Sequence, residues 1–166
     1  MRLSYRSLNA LLVFLMVSAT AIAIGYLQLQ LKLEPCPLCI FQRIGLWTMG
    51  VFALIATIIN AKNKAVRLLL WLGSTLGALW GFGVALRHTW LHYAPSSTPS
   101  CGPGLSYWVD TLPMSEVLSV VLAGNGDCAL IDWTLFGLSI PAWTAVLFAV
   151  ILFIEVVILK KILQKS

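Results

Sequence analysis

The chain alternates long apolar runs with short polar breaks. The runs cover roughly Leu8–Leu27, Ile44–Ile59, Leu68–Leu86 and Leu135–Ile154. Each approaches the ~20 residues that carry a helix across a bilayer. The second is short unless its helix begins near Leu38, which puts Arg43 in the outer turn of that helix. The pattern predicts an all-α, polytopic membrane protein. Four transmembrane helices, at about 8–27, 40–59, 68–87 and 138–159, form a bundle, with loops at about 28–39 and 88–137 on one side.

Composition agrees with this reading. With 166 residues, one domain is expected. The chain is 60% hydrophobic and 10% charged, against about 25% charged in a soluble domain. Arg2 and Arg6 precede the first run, and Ala19-Thr20-Ala21 resembles a small-residue cleavage site. The run exceeds a signal-peptide core, however, and reads as a retained span. No repeat, low-complexity segment, GxGxxG or P-loop pattern occurs. The net charge of +5 is modest, and no basic stripe is interleaved with aromatics. Nucleic-acid binding is not expected.

Lys and Arg set orientation in a membrane protein. One set of flanks holds Arg2, Arg6, Lys62, Lys64, Arg67, Lys160, Lys161 and Lys165; the other holds only Lys32, Arg43 and Arg87. The acids Glu34, Asp110, Glu116, Asp127 and Asp132 lie on the second side. Both termini and the loop 60–67 are therefore expected in the cytoplasm. All four cysteines, Cys36, Cys39, Cys101 and Cys128, then face outward, where disulfides form and persist. An even number on one oxidising face points to two disulfides.

The long outer loop has two parts. Tyr93–Gly104 is rich in Pro, Gly and Ser and reads as mobile. Leu105, Trp108, Val109, Leu112, Val117, Val120 and Val121 then form an apolar stripe interrupted at Pro113. That predicts one or two short helices, either flat on the membrane surface or packed on the bundle.

The stretch EPCPLCIFQR, 34–43, carries the chemistry. A CxxC pair closes a very small ring, and such pairs are commonly redox-active or metal-binding. A four-cysteine zinc site needs two close pairs, and Cys101 and Cys128 are 27 positions apart. No metal is expected. Pro37 suits the first turn of a helix. Cys39 then lies where unsatisfied N–H groups and the positive dipole end favour a thiolate. Arg43, at i+4 from Cys39, shares its helix face. An arginine at this depth is costly unless it pairs or snorkels. His88 closes the third span, and with His92 it has the i,i+4 spacing of metal ligands, though no third ligand accompanies them. Gly73, Gly77, Gly81 and Ala85 make a small-residue stripe suited to close helix approach.

These motifs together resemble the bacterial DsbB family of disulfide bond formation proteins. The likeness covers essentially the whole chain: EPCPLCI before the second span, Arg43 one turn on, RHT at 87–89, the loop with Cys101, and GNGDC at 124–128 before WTLFGLSIP. Gln42 departs from members that carry an acid beside the arginine.

The resemblance implies an inner-membrane enzyme that reoxidises a periplasmic dithiol oxidase, DsbA, and passes electrons to a membrane quinone, ubiquinone or menaquinone, and so to the respiratory chain. Carried over residue by residue, it implies redox disulfides Cys36–Cys39 and Cys101–Cys128. Cys101 forms the mixed disulfide with the partner, Cys128 attacks Cys36, and Cys39 is released facing the quinone. Arg43 and His88 are implied quinone-binding residues. Three rivals stay open: a paralogue serving another thioredoxin-like partner, a vitamin K epoxide reductase-like protein, and a structural four-helix protein with inert disulfides.

Overall fold

The structure, a computed structural model, describes residues 4–32, 36–93, 105–123 and 134–164. Cys101 and Cys128 lie outside the described residues. Helix α1, Tyr5–Ala21, starts where the Ser4 side chain accepts from the Ser7 amide at 3.1 Å, which satisfies one of the first-turn donors. It continues without a break as a π-helix, Ile22–Gln30. Helix α2 is Pro37–Ile59 and ends at Asn60, which takes the left-handed conformation (φ 42°). Helix α3 is Lys64–Tyr93. The short helices α4, Leu105–Thr111, and α5, Met114–Ala123, flank Pro113. A two-stranded hairpin, β1 (Thr134–Leu135) and β2 (Leu138–Ser139), turns through Phe136 and Gly137, both at positive φ. It leads directly into α6, Ile140–Gln164.

Among the described residues, four helices are long and apolar enough to cross a membrane: Tyr5–Gln30, Pro37–Ile59, Lys64–Tyr93 and Ile140–Gln164. Large apolar side chains cover their outward faces, among them Phe14, Ile58, Leu69, Leu76 and Phe153. On a soluble protein this would be a severe aggregation liability; in lipid it is the expected surface. The chain is therefore all-α and polytopic, with one minimal hairpin among the described residues. The apolar residue Leu138, counted toward the fourth span in the sequence, belongs to that hairpin.

α3 is the central element, packing along both α2 and α6. The small-residue stripe explains how. A Cβ added at Gly45 would lie 2.8 Å from the Gly81 backbone, and one at Gly77 would lie 2.6 Å from the Met49 amide nitrogen. Only hydrogen fits at these points, so the α2 and α3 backbones touch. Gly81 also receives the Phe148 ring of α6, and Gly73 the Phe52 ring. Around this seam lies a core of Leu46, Met49, Ala53, Ala78, Phe148 and Ile151.

A second cluster caps the end of the bundle that carries Cys36. It joins Leu38 of α2, Val84 and Leu91 of α3, Trp108 of α4, and Val117 and Val121 of α5. Arg87 fastens α5 there, donating to the Leu122 and Ala123 carbonyls at 2.9 and 3.1 Å. The two short helices thus pack on the bundle through Trp108, Val117 and Val121. Val109, the neighbour of Trp108 on the helix, faces outward instead. At the opposite end, Arg67 lies 4.6 Å above the Tyr5 ring and donates to the Ala61 carbonyl, tying α1 to the α2–α3 connection.

One buried acid stands in that half of the bundle. Glu155 of α6 is 1% exposed. The Ser74 hydroxyl of α3 donates to its Oε1, and the Trp71 indole donates to its backbone carbonyl at 2.9 Å. These bonds, with the Phe148 contact, hold α6 in register on α3.

Candidate redox site

The site starts from the first turn of α2. Cys36 is the N-cap, with extended backbone (φ −64°, ψ 159°), and Pro37 is the first helical residue. Proline needs no hydrogen bond there, and its fixed φ suits the start of a helix. Cys39 therefore sits on the third helical residue, among N–H groups that have no intrahelical acceptor. Leu38, between the two cysteines, is fully buried in the capping cluster. It anchors the turn while both sulfurs stay half-buried. The two Sγ atoms are 3.3 Å apart, a dithiol within reach of closing on itself.

His88 reaches this pair from α3. It is 4% exposed. Its Nε2 is 3.7 Å from Cys36 Sγ and its Nδ1 is 4.0 Å from Cys39 Sγ. The imidazole thus lies against both sulfurs, although 52 and 49 residues separate it from them in sequence. Gln42 holds the ring: its Nε2 is 3.1 Å from His88 Nδ1, and the side chain is itself buried. A carboxamide turned the other way would accept from Nδ1–H instead. In either orientation Gln42 selects the tautomer, and so decides whether Nε2 faces Cys36 as donor or acceptor.

Arg43, the next residue of α2, turns away from this cluster. Its Nη1 donates to Oε1 of Gln28 at 2.7 Å, the length of a strong charge-assisted bond. Gln28 lies in the π-helical extension of α1. A π-turn inserts an extra residue into the helical repeat, so this segment sets the angle at which Gln28 meets Arg43. The guanidinium is thereby paired and half-buried at the mouth of α2. One turn further in, the Trp47 indole donates to Thr20 of α1 at 3.1 Å.

Of the residues singled out in the sequence, Cys36, Cys39 and His88 come together. Arg43 belongs to the same helix mouth but faces α1. Cys101 and Cys128 fall outside the described residues. His92 is buried one turn beyond His88. Sequence reasoning missed Gln28 and passed over Gln42 as a departure from a pattern. An amide next to a membrane-edge arginine was the available signal for Gln42; Gln28, 15 positions from Arg43, offered none. The donor atoms of Cys36, Cys39 and His88 all lie within 4.8 Å of one another, a set able to hold a metal ion.

Leu29 follows Gln28 and Ile44 follows Arg43 in the chain, Trp47 lies one turn on, and all three are exposed.

Comparison with known proteins agrees on one family. The family model "Disulfide bond formation protein DsbB" matches residues 5–158. The disulfide bond formation protein B of Psychrobacter cryohalolentis is 50% identical over 164 residues, covering 98% of this chain and 93% of that protein. That of Acinetobacter baumannii is 48% identical over 155 residues, covering 93% and 90%. That of Chromobacterium violaceum is 46% identical over 142 residues, covering 82% and 84%.

Proposed function

This chain belongs to the DsbB family of membrane-associated, disulfide-forming oxidoreductases, and from that premise we propose that it reoxidises a DsbA-like periplasmic dithiol oxidase and delivers the electrons to a membrane quinone. The observation that carries the reading is the dithiol at the first turn of a membrane-length helix, with a buried histidine against both sulfurs.

The steps follow from thiol–disulfide exchange, in which a thiolate attacks a sulfur and the better leaving thiolate departs. The partner's thiolate attacks Cys101 of the Cys101–Cys128 disulfide and releases Cys128. The partner's second thiolate then displaces Cys101, and the partner leaves oxidised. Cys128 attacks Cys36 of the Cys36–Cys39 disulfide and releases Cys39. Cys101 closes back onto Cys128, leaving the electron pair on Cys36 and Cys39. A bound quinone supplies the two-electron, two-proton acceptor that returns this pair to a disulfide. Cys39 is the suited leaving group, because the helix N-terminus favours its anion. His88, 3.7 Å from Cys36 Sγ, holds or moves the thiol proton. Arg43, fixed by Gln28, offers positive charge where negative charge develops.

Orientation follows the charge bias. Arg6, Lys62, Lys64, Lys160 and Lys161 gather at the end opposite Cys36, so both termini lie in the cytoplasm and the cysteines in the periplasm. The enzyme then sits in the inner membrane.

Anaerobic oxidation of reduced partner by the purified chain tests this, with and without ubiquinone or menaquinone. Oxidation that requires a quinone supports it, and a rate indifferent to quinone defeats it. Offered the oxidised partner instead, Cys128→Ala, whose Cys101 has no disulfide mate, should attack the partner's disulfide and accumulate an adduct through Cys101. An adduct through Cys36 or Cys39 would reverse the proposed order of exchange.

A further inference from the structure

We propose that the reduced Cys36–Cys39 pair and His88 form a redox-gated, three-donor binding site for a thiophilic divalent cation, Zn²⁺ or Cd²⁺. The proposal stands on the donor geometry and does not depend on quinone chemistry.

The donor set fits. Zinc takes thiolate sulfur at about 2.3 Å and imidazole nitrogen at about 2.0–2.1 Å in a tetrahedron. Those lengths put two sulfurs about 3.8 Å apart and a sulfur about 3.6 Å from the nitrogen. Here the sulfurs are 3.3 Å apart and Cys36 Sγ is 3.7 Å from His88 Nε2. All three donor atoms lie within 4.8 Å of one another, so small side-chain rotations close the site. Three protein ligands plus one exchangeable position are a sufficient zinc set.

The surroundings fit as well. Gln42 touches Nδ1 at 3.1 Å. With its carboxamide oxygen toward the ring, Nδ1 keeps its proton and Nε2 offers its lone pair on the side of Cys36. Metal-bound histidines are commonly oriented through the second nitrogen in this way. Binding sheds whatever thiol protons the pair still carries, and the dication ends with two thiolates. The resulting cluster is neutral and adds no net charge at the edge of the bilayer. Arg43 is engaged by Gln28, and Arg87 by the Leu122 and Ala123 carbonyls.

Redox state gates the site. Closing Cys36–Cys39 into a disulfide removes both thiolates and leaves a single imidazole. The cation therefore binds only the dithiol, holds it open, and blocks its return to the disulfide. Zinc outside the cytoplasm would thereby throttle thiol oxidation.

The test uses the full-length chain in detergent with Cys101→Ser and Cys128→Ser, so that one cysteine pair reports. It is reduced with a thiol-free phosphine and titrated with Cd²⁺ while the thiolate-to-cadmium absorption is followed. One cation per chain is expected. Affinity should fall about 100-fold or more in His88→Ala and about tenfold in Gln42→Ala, and hold in His92→Gln. The ferricyanide-oxidised protein should not bind. Cadmium NMR of the parent should report two sulfurs and one nitrogen, a readout that stands even where His88→Ala fails to fold. Absence of binding by the reduced parent, equal binding by the oxidised form, or a nitrogen-free cadmium signal would overturn the proposal.

Discussion

Replacing Arg43 should damage the quinone half of the reaction and leave the partner half intact. Its guanidinium is bound to Gln28 by a 2.7 Å hydrogen bond at a half-buried helix mouth. A hydrogen bond to a charged group contributes about 1.5–3 kcal/mol. If that amount acts in the transition state, Arg43→Ala slows quinone reduction roughly ten- to a hundredfold. Gln28→Ala removes the tether and keeps the charge, so a loss of roughly two- to tenfold is expected, about 0.4–1.4 kcal/mol. The double variant should then be no worse than Arg43→Ala alone, because the tether has nothing left to hold. Arg43→Lys should recover part of the activity through charge, without the planar fork. The assay is steady-state turnover against quinone concentration with saturating reduced partner, alongside separate measurement of partner exchange. An unchanged quinone KM and turnover in Arg43→Ala would reduce Arg43 to a membrane anchor. Strictly additive losses in the double variant would refute the tether.

Two further outcomes test the frame that carries the site. Gly77→Ala drives a Cβ onto the Met49 amide nitrogen and the Gly45 carbonyl, at 2.6 and 2.9 Å; we predict a loss of about 1–3 kcal/mol and slower turnover, and an unchanged thermal midpoint would contradict the backbone contact. Glu155→Gln retains an acceptor for the Ser74 hydroxyl and should be nearly neutral, whereas Glu155→Ala should cost about 1–3 kcal/mol; equal midpoints for the two variants in detergent would remove Glu155 as the α3–α6 register pin.

The four spans were legible because ~20 apolar residues in a row permit few alternatives. Their ends were less so. The third run loses its apolar character after Leu86, yet α3 continues to Tyr93, because no residue up to that point breaks a helix. The two short helices were legible in outline from the stripe and Pro113, but which stripe residues turn inward depends on the partner surface, and Val109 does not. The CxxC pair and its helix start could be read from spacing and proline position. The contact with His88 could not. It joins residues 49 and 52 positions apart, and their meeting depends on the sliding register of α2 on α3. The π-helical stretch left no sequence signal at all, since nothing in IAIGYLQLQ distinguishes it from an ordinary span. Gln28 therefore could not be matched to Arg43 beforehand. Glu155 carried no signal either, because its partner Ser74 is 81 positions away.

The glycine contact between α2 and α3 can also serve as a fulcrum. Gly81 is seven residues from His88 and seventeen from Lys64, about 10 and 25 Å along the helix. A rigid α3 rocking about that point turns a 1 Å excursion at the Lys64 end into about 0.4 Å at the imidazole, by the ratio of those arms. Bilayers differ in thickness by a few ångströms, and helices answer by tilting. Tilt absorbed at the far end thus reaches the imidazole, and its spacing to the sulfurs of α2, reduced by more than half. A pivot this close to the chemistry would keep the reacting atoms in range across membranes of different thickness.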